Sequence, residues 1–147
     1  MGRIGTAVAR KASYGFGMKV LGYRRNLPGD ICADYGILTS DLDKVIRNSD
    51  FLSIHLPYTK DTFHLVSCEK LELMKPDAYL LNLGRGEVVD QAALRELLLS
   101  NRLAGAALDV FEGEILDADD PLLHMDQVIA TPHIAGLSKQ AMERLSY

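Results

Sequence analysis

Short apolar runs alternate along this chain with stretches of helical periodicity. Residues 51–56, 78–83, 103–108 and 128–130 are near-continuously apolar, which predicts strands buried on both faces. Residues 19–23 read as a further short strand, and residues 36–38 as an edge strand. Between them lie the helices. Ile4, Val8, Ala9 and Ala12 share one face of a first helix, which opens at Gly2 and is ended by Gly15 and Gly17. Ser40 is placed to cap a helix over residues 41–48, with Asp43 at the capping-box position and Leu42, Val45 and Ile46 inward. Ser67 caps a short helix that carries Leu71 and Met74 and stops before Pro76. Asp90 caps a helix over residues 91–100, with Leu94, Leu97 and Leu98 inward, and a last helix runs from Ser138. Strand and helix in this alternation predict an α/β fold with a parallel sheet and right-handed crossovers. No internal repeat, low-complexity linker or domain boundary interrupts it, so residues 1–147 read as one domain.

Composition narrows the classes. The chain has 147 residues, 48% of them hydrophobic, enough for a real core and too apolar for a disordered chain. The net charge of −4 is spread along the sequence and gives no basic stripe for nucleic acid. No apolar run has the length of a membrane span. Cys32 and Cys68 have neither CxxC nor Cys/His spacing, which argues against zinc and a disulfide framework and sets the expectation of a reduced, cytoplasmic protein. Met1 to Thr6 fits an N-acylation pattern, but its glycines have a better use.

The chemistry gathers where apolar runs stop. The run 78–83 ends in Gly84-Arg85-Gly86, the run 103–108 in Asp109 with Glu112 and Glu114 beyond it, and the run 128–130 in Thr131-Pro132-His133. In open α/β sheets, ligands bind beyond the carboxyl ends of the strands. An arginine, a carboxylate and an imidazole are therefore expected on one rim. Gly2-x-x-Gly5 looks like the last two glycines of the dinucleotide fingerprint, where backbone and pyrophosphate approach closely at a helix N-terminus. The strand that should deliver a ribose-binding acid ends instead in Arg24-Arg25. A guanidinium pair suits a 2′-phosphate, so NADP(H) is expected rather than NAD(H).

These residues together resemble the D-isomer-specific 2-hydroxyacid dehydrogenases. The resemblance rests on Gly2-Arg3-Ile4-Gly5, His55-Leu56-Pro57, residues 82–86 with Val89-Asp90, residues 107–112 with Glu114, and residues 131–136, in that order. The arginine pair makes the chain most like the NADP-preferring glyoxylate and hydroxypyruvate reductases. The resemblance implies a doubly wound, Rossmann-like dinucleotide-binding domain and a hydride transfer between NAD or NADP and a small 2-oxo or 2-hydroxy acid. It makes Arg85 the residue that grips the substrate carboxylate and polarises the keto oxygen, His133 the acid/base, and Glu114 its hydrogen-bonding partner. It puts Asp109 near the nicotinamide, and Arg3, Ile4, Pro57, Thr62 and Gly84 at cofactor-contacting positions. Glu112 is the rival of Glu114, and periodicity does not separate them. His55 is read as structural, and His64 and His124 as loop residues.

Three departures from the family accompany the match. The first strand and first glycine of the fingerprint would precede Met1, the substrate domain has no counterpart, and Ile115 stands where proline is usual. Without the first strand, the strands at residues 19 and 51 would have bare edges, and buried unpaired backbone groups are costly. A homo-oligomer, in the simplest case a dimer, is expected to cover them. A cofactor-binding module without catalysis is the alternative reading.

Overall fold

A computed structural model describes residues 2–24, 37–113 and 116–145. The turn at residues 27–30, together with Arg25, Cys32, Gly36, Glu114 and Ile115, lies outside the described residues. The order of elements is α1 (Arg3–Phe16), β1 (Val20–Gly22), β2 (Ile37–Thr39), α2 (Leu42–Asn48), β3 (Phe51–Ile54), α3 (Cys68–Leu71), β4 (Tyr79–Asn82), α4 (Gln91–Leu99), β5 (Gly105–Leu108), β6 (Val128–Ala130) and α5 (Lys139–Leu145).

Every strand pair is parallel, and the strands form two sheets, β1-β2 and β3-β4-β5-β6. Among the described residues β1 pairs only with β2, and β3 only with β4, so each keeps one bare edge. The larger sheet is in strict register: Asn82 faces Leu108, which faces Ala130. These three end their strands, so the loops that follow leave from one edge of the sheet.

The core lies on one face of that sheet. Leu52, Ile54, Leu80, Ala106 and Leu108 point to it and pack with Val45 and Ile46 of α2, Leu71 of α3, and Leu94 and Leu98 of α4. Strand residues alternate between faces, and the other face carries Phe51, Tyr79 and Ile129, which are 54%, 44% and 68% exposed. The rings of Phe51 and Tyr79 stack at 5.5 Å. Gly105 lies beside them because a Cβ there would come within 3.1 Å of the Tyr79 ring and 2.5 Å of the Gln127 carbonyl oxygen.

Local chemistry accounts for the element ends and for three differences from the sequence reading. α1 stops at Gly17, whose φ of +64° allows the left-handed turn that lets Gly17 and Met18 return their N–H groups to Ser13 and Ala12. Its buried residues are Gly5 and Ala9, while Ile4 and Val8 are 69% and 40% exposed. Ala9 is buried as expected, but Gly5 rather than Ile4 or Val8 is buried with it, so the inward face is turned from the one that the larger side chains suggested. The cap of α2 is Asp41, not Ser40: the Asp41 carboxylate accepts the Lys44 N–H at 2.9 Å, and Asp43 instead pairs with Lys70 of the next helix. Ser67 stands at the N-cap of α3, but its hydroxyl donates to the Glu69 carboxylate rather than serving the backbone. Asp90 caps α4 as expected, accepting the Ala93 N–H at 3.0 Å.

Candidate active site

The carboxyl edge of β3 to β6 carries three buried polar side chains, Thr62, Asn82 and Asp109, which are only 7%, 2% and 4% exposed. Burying a polar group is costly unless it is hydrogen-bonded. Each of the three is bonded to a loop that carries an expected site residue.

Asn82 ends β4. Its amide nitrogen donates to the Arg85 carbonyl at 2.9 Å, and its amide oxygen accepts the Gly84 N–H at 3.1 Å. The side chain thus closes the Gly-Arg-Gly turn from inside. Both glycines are required by close approach. A Cβ on Gly84 would meet the Leu56 carbonyl oxygen at 2.8 Å, and one on Gly86 would lie 2.0 Å from the Phe111 carbonyl. Arg85 sits at the start of a 3-10 turn over Gly86–Val88, exposed, with Nη1 donating to the Gly84 carbonyl at 2.7 Å. Among the described residues no carboxylate lies within ion-pair distance of it.

Asp109 follows β5, and its main chain laces the rim: its N–H donates to the Asn82 carbonyl and its carbonyl accepts the His133 N–H at 2.9 Å. Its carboxylate reaches the loop after β6. Oδ1 accepts the Thr131 hydroxyl at 2.6 Å and the Ile134 N–H at 2.8 Å, and Oδ2 accepts the Ala135 N–H at 2.9 Å. Burial pushes this carboxyl up, but the Thr131 hydroxyl, the Ala135 and Ile134 N–H groups and the nearby His133 ring outweigh that and hold it below its ordinary value. His133 itself is exposed and has φ +55°, a conformation that costs a non-glycine residue about 1–3 kcal/mol unless its surroundings enforce it.

Arg85 and His133 therefore leave the same edge of one sheet, from strands on either side of β5. At ~4.8 Å per strand spacing, their strand ends stand roughly 10 Å apart. A cavity of about 290 Å³ opens beside His133, walled by Asp109, Phe111, Leu116, Leu123 and Pro132.

The third buried group, Thr62, closes the loop after β3. Its hydroxyl donates to the Pro57 carbonyl at 2.7 Å and accepts the Thr59 N–H at 2.8 Å. Pro57 is exposed at the start of that loop. His55 is half-buried, bonds Ser53 through Nε2 at 2.9 Å, and has its pKa lowered by burial.

The helix α1 begins at Gly2 with no capping side chain and no acid in its first turn. The first N–H groups of a helix have no intrahelical partner, and among the described residues those of Arg3, Ile4 and Gly5 make no other backbone bond. Gly2 has free space where a Cβ would be. Arg24 is exposed just past β1. The first turn of α1 thus offers backbone N–H groups and the Arg3 cation and no carboxylate, a set that suits a phosphate-bearing cofactor.

Two features escaped the sequence reading. Asn82 had no role there, although a lone amide in an otherwise apolar strand is a signal that it serves a turn. His64, read as an ordinary loop residue, has φ +45°, stacks on Phe63 at 4.0 Å and bonds Glu112 through Nε2 at 2.9 Å. The Glu112 N–H donates to the Gln91 side chain at 2.9 Å. The rival of Glu114 is thus engaged with a different histidine. Among the described residues no cluster of metal-ligating side chains occurs, and no helix is long and apolar enough to cross a membrane.

Known proteins share this sequence pattern and fold. Residues 1–135 match the family model described as D-isomer specific 2-hydroxyacid dehydrogenase, NAD binding domain. The chain is 44% identical over 146 residues to a glyoxylate reductase of Korarchaeum cryptofilum, covering 99% of this chain and 44% of that protein. It is 46% identical over 140 residues to glyoxylate/hydroxypyruvate reductase B of Pectobacterium carotovorum, covering 95% of this chain and 44% of that protein. Its fold superposes on the apo D-mandelate dehydrogenase of Rhodotorula graminis with a TM-score of 0.91 at 35% identity, covering 99% of this chain and 43% of that one. The chain spans less than half the length of these relatives.

Proposed function

Since the chain belongs to the D-isomer specific 2-hydroxyacid dehydrogenase family, as its NAD-binding domain, we propose that it serves the reduction of a small 2-oxo acid, glyoxylate or hydroxypyruvate, to the D-2-hydroxy acid. The nicotinamide cofactor, when bound, supplies the hydride. The chain's residues do the rest. The Arg85 guanidinium holds the substrate carboxylate by paired charged bonds and polarises the keto oxygen. His133 gives its proton to that oxygen as alkoxide charge develops. Glu114 serves as the acidic partner of that histidine, as the family resemblance implies. The N–H groups at Gly2, Arg3, Ile4 and Gly5 take the pyrophosphate, Arg24 and Arg25 the 2′-phosphate of NADP(H), and Pro57, Thr62 and Gly84 border the dinucleotide.

The observation that supports this reading is that the loops of Arg85 and His133 flank the end of β5 at one sheet edge, with Asp109 bonded to the Asn82 carbonyl on one side and to the His133 N–H on the other. Residues 1–147 are read as one dinucleotide-binding domain that self-associates, and the exposed free thiol of Cys68 suits a reducing, cytoplasmic compartment.

A second reading has its own support. Both Arg85 and His133 are open to solvent, whereas such chemistry is ordinarily sequestered from water by closure of a second unit. On that reading the chain binds the dinucleotide without turnover. The test is to mix it with NADPH and glyoxylate or hydroxypyruvate and follow the nicotinamide absorbance. Turnover supports the reductase, and binding without turnover supports the module. Affinities for NADPH and NADH measured in parallel decide the cofactor, and tighter NADH binding would overturn the role given to Arg24 and Arg25.

A further inference from the structure

We propose that Asp109 is a positioning residue for His133, holding the loop over residues 131–135 so that the imidazole leaves from a left-handed turn at the rim. Four donors of that loop converge on this one residue. Thr131 Oγ1, Ile134 N and Ala135 N reach its carboxylate, and His133 N reaches its carbonyl. The bonds lie on both sides of His133, the one residue of that loop with positive φ. A left-handed non-glycine residue persists only where its neighbours over-determine it, and here the neighbours on either side share a single buried anion.

The same geometry separates this role from cofactor contact. The carboxylate is 4% exposed, and both its oxygens already accept bonds from within the chain. An ionised carboxylate is acceptor-only, and the depressed pKa of Asp109 keeps it so at neutral pH. An amide in its place would turn an N–H₂ group toward one of the donors. The reductase reading gives His133 its meaning, but the positioning stands on geometry and is tested apart from it.

The experiment uses the full 147-residue chain and three variants, Asp109→Asn, Thr131→Val and His133→Gln. Amide hydrogen exchange is read at Ile134 and Ala135, with Leu80 and Leu108 as references in the sheet. NADPH affinity and NADPH oxidation by glyoxylate are read beside it. Asp109→Asn is expected to speed exchange at Ile134 and Ala135 by about tenfold or more, the scale of a lost bond to a charged group. The sheet amides should be unchanged, NADPH affinity should stay within about threefold, and any turnover should fall about a hundredfold, as displaced catalytic groups do. Thr131→Val, which keeps the carboxylate and removes one donor, should give a smaller change in the same direction; it carries the test if Asp109→Asn does not fold. Retained protection at Ile134 and Ala135 in both variants overturns the proposal. So does a more than tenfold loss of NADPH affinity with protection intact, which makes Asp109 a cofactor contact. Turnover by His133→Gln equal to the parent, or no turnover by the parent, removes the reductase reading instead and leaves the exchange result to decide the positioning role.

Discussion

Replacing Gly86 by alanine adds one methyl group at the most crowded backbone approach of the rim. The new Cβ would lie 2.0 Å from both the carbonyl carbon and oxygen of Phe111 and 2.4 Å from the Glu112 nitrogen. Carbon atoms prefer separations of ~3.5 Å, so the 3-10 turn and the strand-end loop must part by roughly 1.5 Å. All three obstacles are backbone, and none can rotate away. The flanking backbone is tied down as well: the Val89 N–H donates to the Gly86 carbonyl and the Val88 N–H to the Arg85 carbonyl. Overpacking of this kind costs about 1–3 kcal/mol and sometimes more. With Tm moving about 2–4 °C per kcal/mol in a chain of this size, a drop of roughly 5–10 °C is expected. A thermal melt followed by circular dichroism measures that drop and urea denaturation the free-energy change, with Gly136→Ala as control, because nothing lies within 4 Å of a Cβ there. The control should stay within about 0.5 kcal/mol. If Gly86→Ala unfolds at the same urea concentration as Gly136→Ala, the close approach of the two loops is wrong, and with it the account of how Arg85 is held.

Three further outcomes are expected. Asp41→Ala should lose about 1 kcal/mol of stability, the usual cost of a lost N-cap, while Ser40→Ala stays near neutral; equal effects in a urea series would refute the assignment of the cap to Asp41. The folded pKa of Asp109 is depressed, so its contribution is fully present above the ordinary carboxylate range near ~3.9 and is lost as pH falls through the lower folded value. The stability gap between the parent and Asp109→Asn should therefore be constant from about pH 5 to 8 and close only in stronger acid; a gap that closes near neutrality contradicts this. The bare edges of β1 and β3 and the exposed Phe51, Tyr79 and Ile129 predict concentration-dependent association in sedimentation. A compact monomer at every concentration would remove that expectation.

Much of the fold was legible because local rules agree with the global ones here. Uninterrupted apolar runs marked β3 to β6, Asp90 and Gly17 stood where helix termini need them, and the chemistry followed each run directly. Legibility failed where two residues could do one job or where partners lie far apart in sequence. Ser40 and Asp41 are both good caps, one residue apart, and only the approach of the Lys44 N–H decides between them. The large side chains of α1 suggested a buried face, but the residues that are buried are Gly5 and Ala9, and only Ala9 lay on the expected face. The His64–Glu112 pair spans 48 residues, and no periodicity announces it. Asp109 was legible as a strand-end carboxylate, yet its bonding to Thr131, Ile134 and Ala135 depends on the register of β5 and β6, which only the folded sheet supplies.

The proposed reductase role requires Arg85 and His133 to face one nicotinamide ring. Nuclear Overhauser contacts in the NADPH-bound chain test this most directly, read between the nicotinamide C4 protons and the labelled side chains of both residues. The account predicts contacts to the His133 ring together with shifts in the Arg85 guanidinium signals. Perturbation confined to the first turn of α1 and the end of β1, with both side chains unmoved, would contradict it.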